Sequence, residues 1–156
     1  MKLLFKQKVF SWLDHYEIYD EKENVRYEVR GELAWGHMLR IYDRLGYEVG
    51  SVKERVFTLL PKFEIYSEDE YLGCISKEFT LFEQKYNIDF NGWTVSGDMF
   101  EWYYEITDIF DKHIATVTKE PFKLGDTYIL DIDDEKDALN VLMLVLAIDA
   151  EKASRG

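Results

Sequence analysis

The sequence predicts a mainly β protein, a closed antiparallel barrel of about twelve strands around one hydrophobic C-terminal helix. Short segments of alternating apolar residues recur along most of the chain, as half-buried strands require. One run near the C-terminus is apolar on every face, which is typical of a buried helix. The composition, 47% apolar and 16% aromatic with only 2 Pro, supplies the core of a single domain that spans residues 1–156.

Most of the strands belong to a repeated hairpin unit. Each copy opens on a short segment: Ile18-Tyr19-Asp20, Ile41-Tyr42-Asp43, Ile65-Tyr66-Ser67 and Ile106-Thr107-Asp108. A polar connector follows, and a second run reaches Val29, Val52, Ile75 or Val117, which lies 10 or 11 residues after the opening Ile. In three copies this run reads apolar, small, any, then Val or Ile: Val49-Gly50-Ser51-Val52, Leu72-Gly73-Cys74-Ile75 and Ile114-Ala115-Thr116-Val117.

Apolar alternation on both sides of a polar turn predicts a β-hairpin in each copy. The alternative is an array that presents one binding residue per copy, but the shared positions are mostly apolar or small. A further turn is predicted at Asn91-Gly92, because both positions of a type I′ turn need a positive φ. That turn predicts pairing of residues 88–90 with residues 93–95.

The predicted helix covers about residues 135–151. Its centre, residues 138–148, is apolar apart from Asn140 and is rich in the helix formers Leu, Met and Ala. The acidic residues before it supply an N-cap and a favourable charge for the helix N-terminus. In a chain otherwise made of strands, a helix without a polar face is buried if the sheet curls around it, and barrels of about eleven or more strands can hold one. An oligomer interface or a membrane surface is the alternative, but an interfacial helix would keep a charged face.

Five segments resemble the LURP-one-related family: residues 1–10, GELAWGH at 31–37, LPKFEIY at 60–66, YNIDFNGW at 86–93, and residues 128–149. The resemblance runs over nearly the whole chain. That family is similar in fold to the C-terminal domain of Tubby and to phospholipid scramblases, so the resemblance implies a Tubby-like, twelve-stranded barrel around a C-terminal helix. Tubby-like domains bind phosphoinositides through basic side chains, and scramblases are linked to calcium-dependent lipid movement. Plant members of the family are associated with defence responses. Because these associations differ from one another, the resemblance implies a fold and no single activity.

Charge and cysteine content exclude several classes of function. Acidic residues outnumber basic ones by 31 to 19, a net charge of −12, which argues against a nucleic-acid partner. The single cysteine, Cys74, cannot form an internal disulfide or a Cys-based zinc site, and we expect a buried, inert thiol.

The N-terminal apolar run stops at Lys6, so no signal peptide is predicted, and residues 138–148 are too few to cross a bilayer. The expected compartment is the cytoplasm.

The carboxylates Asp131, Asp133 and Asp134 are the best candidates for a metal site, because clustered carboxylates suit calcium. An EF-hand loop starting at Asp131 would need Gly and Glu where Lys136 and Leu142 stand. The favoured interpretation is a solvated strand end followed by a helix cap. No cofactor is predicted.

The remaining candidates are scattered. His15, His37 and His113 lack a metal-ligand partner at helical spacing and are interpreted as turn or surface residues. The four Trp residues could form a ligand-stacking surface, but Trp side chains in a barrel more often fill the core or cap the barrel ends. These residues are Trp12, Trp35, Trp93 and Trp102. The densest basic group, Lys2, Lys6 and Lys8, lies on one face of the first strand and could meet a membrane lipid surface.

These observations predict a non-enzymatic binding or interaction module. No nucleophile elbow, phosphate loop or dinucleotide-binding motif occurs in the sequence, and a barrel filled by its own helix has no lumen for a substrate. A lipid-associated protein, either a phosphoinositide tether or scramblase-like, is the alternative. An enzyme with a pocket at the barrel rim is the third hypothesis. The sequence identifies no partner and no oligomeric state.

Overall fold

A computed structural model of the chain describes residues 1–7, 15–34, 36–56, 59–78, 85–98, 103–122 and 125–153. The first six strands are β1 (Lys2–Gln7), β2 (His15–Asp20), β3 (Val25–Ala34), β4 (Gly36–Asp43), β5 (Glu48–Arg55) and β6 (Lys62–Ser67). The other six are β7 (Glu70–Glu78), β8 (Lys85–Phe90), β9 (Thr94–Asp98), β10 (Tyr103–Thr107), β11 (His113–Phe122) and β12 (Gly125–Ile132). A 3-10 turn at Glu135–Asp137 leads into the helix α1 (Ala138–Ala153).

The strands form one antiparallel sheet in the order β8-β7-β6-β5-β4-β3-β2-β1-β12-β11-β10-β9. Chain neighbours pair along most of this order, and β1 pairs with β12 to join the two halves. The terminal ammonium of Met1 donates a hydrogen bond to the Ile132 carbonyl at 2.9 Å and extends that junction. The sheet is a nearly closed barrel whose two edges, β8 and β9, follow each other in the chain, so the predicted fold is confirmed.

Helix α1 fills the barrel. Every side chain from Val141 to Ile148 is fully buried, and the inward side chains of the strands complete one core around them. The predicted position in the barrel is confirmed, with a shift at each end. The first three predicted residues form the 3-10 turn, and the α-helix begins at Ala138 and continues two residues past the predicted end, to Ala153. Asp134 caps that turn, because its side chain accepts a hydrogen bond from the Lys136 backbone N–H at 3.0 Å. Within the described residues, no helix combines the length and apolarity that a membrane crossing needs.

All four predicted hairpins form, as β2–β3, β4–β5, β6–β7 and β10–β11. In each one the register shifts directly after the opening Ile, at Ile18, Ile41, Ile65 and Ile106. Such irregularities bend a strand and increase its twist. The repeat therefore places the same bend around the barrel, where the sheet must curve to enclose the helix.

The pairing predicted for the Asn91-Gly92 turn is wrong, although the turn itself is present. Asn91 and Gly92 have φ values of 55° and 66°, and the Trp93 N–H donates to the Phe90 carbonyl at 2.9 Å. Among the described residues, β8 pairs with β7 and β9 pairs with β10, without a ladder between β8 and β9. The buried rings of Phe90 and Trp93 meet edge to face with their centroids 5.5 Å apart, so side-chain packing across the turn accompanies its single backbone hydrogen bond.

Candidate functional site

One end of the barrel, which we call the turn end, carries five tight turns and the start of the helix. The turns join alternate strand pairs, at residues 20–24, 43–47, 67–70, 91–92 and 108–112, and residues 133–137 lie at the same end. They share an end because neighbouring strands of an antiparallel sheet run in opposite directions. All of these segments belong to the described part of the chain.

Three of the turns have the same construction, built on the Asp that ends the opening segment of a hairpin. The carbonyls of Asp20, Asp43 and Asp108 accept the N–H three residues later at 3.0–3.1 Å. One carboxylate oxygen of each Asp also accepts two backbone N–H groups of its own turn. The pKa of Asp20 is lowered, chiefly because its carboxylate accepts the Asn24 N–H. The repeated Asp is therefore a turn cap, a role that the sequence analysis did not assign to it.

The fourth residue of each of these turns adopts a positive φ, at Glu23 (65°), Gly46 (86°) and Asp111 (59°). A side chain at such a position is strained, and glycine is not. We expect Glu23→Gly to stabilise the protein by about 0.5–1 kcal/mol in urea denaturation. Lys22→Gly is the matched control, one residue earlier, and should destabilise it. Equal effects of the two substitutions would contradict this account of the turn.

The turn segments also concentrate the negative charge of the chain. Residues 20–24, 43–47, 67–70, 108–112 and 133–137 hold 13 carboxylates and 4 Lys or Arg side chains, a net charge of −9 out of −12 for the whole chain. Arg26 lies 2.6 Å from a Glu135 oxygen and 3.9 Å from an Asp20 oxygen, which neutralises this surface locally. A surface with this excess of carboxylates favours the approach of cations and disfavours that of anions.

Large apolar side chains are exposed at the same end. Of the nine exposed large apolar side chains in the described part of the chain, six lie in these turns or directly beside them: Tyr19, Leu45, Tyr47, Tyr71, Ile109 and Phe110. Ile109 and Phe110 are 71% and 83% exposed. The hydrogen bonds of this turn do not require apolar side chains here, because the Asp108 carbonyl and carboxylate accept the backbone N–H groups of the turn.

Two shallow clefts, each of about 320 Å³, border the turn at residues 43–47. The first lies between this turn and the β6–β7 turn and is lined by Tyr47, Glu48, Gly50, Ser51, Glu68 and Asp69. The second opens beside the start of the helix and is lined by Arg26, Tyr27, Asp43, Arg44, Leu45 and Glu135. Carboxylates line both clefts, so both share the charge of the turn end.

The three candidate metal ligands are not brought together. Asp131 faces Lys2 in the register of β1 and β12, and Asp133 lies 2.7 Å from Nδ1 of His113. Asp134 caps the 3-10 turn, as described above. Ile132, which is 1% exposed, points into the core, as strand alternation predicts. Within the described ranges, no group of three or more His, Cys, Asp or Glu side chains is arranged to hold a metal ion.

The predicted basic face is described only at its first residue. Lys2 is exposed on β1, and its backbone N–H donates to Glu21 at 3.0 Å. Acidic residues therefore lie on both sides of it, Asp131 across the β1–β12 ladder and Glu21 beyond the β2 edge. The side chain of Lys6 and the whole of Lys8 lie outside the described residues.

Each predicted surface histidine lies against one carboxylate. His15 contacts Glu28, His37 lies 3.0 Å from Glu54, and His113 contacts Asp133. His113 also lies 2.7 Å from the Thr116 hydroxyl. Each carboxylate lies on another part of the sheet, so spacing along the sequence could not reveal these pairs.

Cys74 is 8% exposed, as expected for a buried thiol, and lies between Glu64 and Asp89 in the registers of β6, β7 and β8. A hydrogen bond with this thiol, together with desolvation, raises the pKa of Tyr71 to about 12. Among the Trp residues, Trp93 is buried against Phe90, as the core interpretation predicted. The other three, Trp12, Trp35 and Trp102, lie outside the described residues.

The dependence of the Tyr71 pKa on the Cys74 thiol can be tested by removing the thiol. We expect Cys74→Ala to move the Tyr71 pKa down from about 12 toward the ordinary value of 10.0. An NMR titration of Cζ-labelled tyrosine, with the resonance assigned by Tyr71→Phe, measures the shift. The same Tyr71 pKa in both proteins would show that Cys74 is not the main cause.

Known proteins match this chain in sequence and in fold. An uncharacterized protein of Bacillus subtilis (strain 168), YxjI, is 29% identical over 150 residues, which cover 96% of this chain and 92% of that protein. The X-ray structure of a protein from Arabidopsis thaliana matches with a TM-score of 0.61 over 95% of this chain and 90% of the other, at 11% identity. The likeness to the plant protein concerns the fold alone. Because the sequence model of the LURP-one-related family matches residues 1–149, this chain belongs to the LURP-one-related family.

Proposed function

We propose that this chain is a non-enzymatic binding module that recognises its partner on the outer surface of the barrel. The burial of α1 carries the proposal: residues 141–148 are fully buried and occupy the space where other barrels bind ligands. The two clefts at the turn end, at about 320 Å³, are near the lower limit of about 300–1,000 Å³ for small-molecule pockets. Both observations favour a large partner that contacts an exterior surface.

Co-purification tests the proposal. The tagged chain is produced at its natural level in its own cells, crosslinked, purified and quantified by mass spectrometry beside an unrelated protein of similar charge. A binding module predicts a polypeptide recovered in a molar amount comparable to the chain. If the purified chain instead consumes a small molecule of the cell extract, followed by metabolite mass spectrometry, it is an enzyme and the proposal is wrong.

A lipid-associated role is the second candidate, supported by the exposed apolar turns and by the similarity in fold to Tubby-like domains and scramblases that the family resemblance implies. The net charge of −9 on the turn segments opposes it for anionic membranes. Sedimentation with anionic liposomes, with and without calcium, separates the candidates. A binding module stays in the supernatant in both conditions, whereas a phosphoinositide tether or scramblase-like protein pellets in at least one.

The proposed compartment is the cytoplasm. A reducing compartment suits a chain whose single thiol, on Cys74, has no disulfide partner within the chain. Fractionation of the source cells, with the chain detected by antibody, tests this proposal.

A further inference from the structure

The β10–β11 turn differs from its two equivalents in one respect. The central residues of the three turns are Glu21-Lys22, Arg44-Leu45 and Ile109-Phe110. The hydrogen bonds are the same in all three, so the turn geometry does not select apolar residues at these positions. Two adjacent large apolar side chains, 71% and 83% exposed, are unfavourable in water unless a contact uses them.

One member of this apolar pair, Ile109, packs against the neighbouring turn. Ile109 lies over the β8–β9 turn so closely that a Cβ added at Gly92 would lie 2.7 Å from its Cγ2 atom. Gly92 also has a positive φ of 66°, so a larger residue there would be disfavoured by both backbone and contact. Ile109 is thereby placed beside the turn that connects the two sheet edges, and a side chain placed before binding loses less entropy when a partner arrives.

The charge around the pair selects its occupant. Asp108 and Asp111 flank the pair in the sequence, and Lys112 is the one cation of this turn. Asp133 lies next to the same hairpin, because its backbone N–H donates to the Ile114 carbonyl at 3.0 Å, and Asp134 follows it. A second copy of the chain has the same net charge of −12 and would be repelled, as would an anionic membrane or a nucleic acid. A basic polypeptide has the complementary charge.

We propose that the turn end docks a basic segment of a partner protein, whose apolar side chains pack on Ile109 and Phe110. This inference rests on the proposed binding function and names its surface and its kind of partner. The apolar pair supplies the buried centre of the contact, and the surrounding carboxylates supply the polar rim and steer the approach. Lys and Arg side chains of the segment pair with Asp108, Asp111 and the other rim carboxylates.

Selection from a random peptide library displayed on phage tests the proposal. The full chain is immobilised, bound phage are sequenced, and the enriched peptides are synthesised for fluorescence anisotropy. We expect enriched peptides with a net positive charge and at least one aromatic or aliphatic anchor. Their Kd should rise about tenfold or more in the double variant Ile109→Ser, Phe110→Ser. It should also rise when the ionic strength goes from about 0.05 M to about 0.5 M.

Two control variants remove exposed apolar side chains outside the turn end. Leu33 on β3 and Leu59 before β6 are 69% and 101% exposed, so Leu33→Ser and Leu59→Ser make the same chemical change elsewhere. Peptide affinity within about twofold of the wild type is expected for both. Unchanged thermal unfolding of all variants shows that lost binding is not lost folding. Asp111→Asn keeps the turn, because Asn tolerates a positive φ, and should weaken binding through charge alone.

Other outcomes overturn the proposal. The turn end is not the docking surface if the enriched peptides are neutral or acidic, if the library is not enriched, or if the double variant binds the peptides equally well. A partner found by co-purification would then still support a binding module. Pelleting with phosphatidylcholine vesicles that the double variant abolishes would make the pair a membrane anchor and would count against the proposed function too. A dimer in sedimentation equilibrium that the double variant dissociates would make the occupant a second copy.

Discussion

Leu142→Asp is expected to unfold the protein. Leu142 is fully buried at the centre of α1, where strand side chains surround the helix. An ionised carboxylate there has no compensating partner, and an unpaired buried charge costs several kcal/mol even after relaxation. Typical domains are stable by only about 5–15 kcal/mol, so this substitution removes most or all of that stability. Circular dichroism should show loss of the cooperative thermal transition.

Asn140→Asp is the matched control for this experiment. It adds the same charge two residues earlier on the same helix, at a half-buried position near the helix N-terminus. A carboxylate there remains hydrated and lies close to the positive end of the helix dipole. We expect a Tm within a few degrees of the wild type. A folded Leu142→Asp protein with an equally small change would mean that α1 is not the centre of the barrel.

The second large effect is expected at Gly73 on β7. A Cβ added there would lie 2.0 Å from the Asp89 carbonyl oxygen and 3.0 Å from its carbon, both backbone atoms of β8. Since a backbone ladder cannot move aside as a side chain can, β8 must shift away from β7. We expect Gly73→Ala to cost about 3 kcal/mol, the upper part of the range for overpacking, in urea denaturation.

Gly50→Ala tests the same step of the repeat in another hairpin. Its added Cβ would lie 2.6 Å from the Met143 sulfur of α1, which belongs to a flexible side chain, and 3.2 Å from the Tyr66 carbonyl oxygen of β6, a much longer backbone contact than at Gly73. A methionine side chain can adjust its rotamer, so about 1 kcal/mol is expected. If Gly50→Ala cost as much as Gly73→Ala, the close approach of β8 would not explain the glycine at residue 73.

The hairpins and the helix could be predicted because each leaves a local pattern in the sequence. Each opening Ile lies 10 or 11 residues before the Val or Ile that ends the second run of its hairpin, and all four opening residues lie in the core around the helix. The run from Val141 to Ile148 has no polar face, and in the barrel none of its side chains is exposed to solvent. The repeat also shows a small residue at one position. The structure explains it, because α1 lies close to the backbone at Gly50 and β8 lies close to the backbone at Gly73.

Features that depend on distant neighbours could not be predicted. The Asn91-Gly92 turn predicts a hairpin locally, but β8 pairs with β7 and β9 pairs with β10, so the two strands beside the turn are the two edges of the sheet. The acidic turn end is assembled from segments far apart in the chain, so no local window displays its charge. Asp149 and Glu151 end the apolar run and are buried, at 6% and 0% exposure, because the barrel extends beyond that run.

The central claim is that α1 occupies the barrel interior and leaves the outer surface for binding. Native-state hydrogen exchange, measured against denaturant concentration, tests it most directly. Amides of residues 141–148 should exchange only through global unfolding, with opening free energies equal to that of the whole domain. Exchange of these amides at a lower free energy, while the amides of β4, β5 and β12 stay protected, would show a helix that leaves the barrel and would contradict the account.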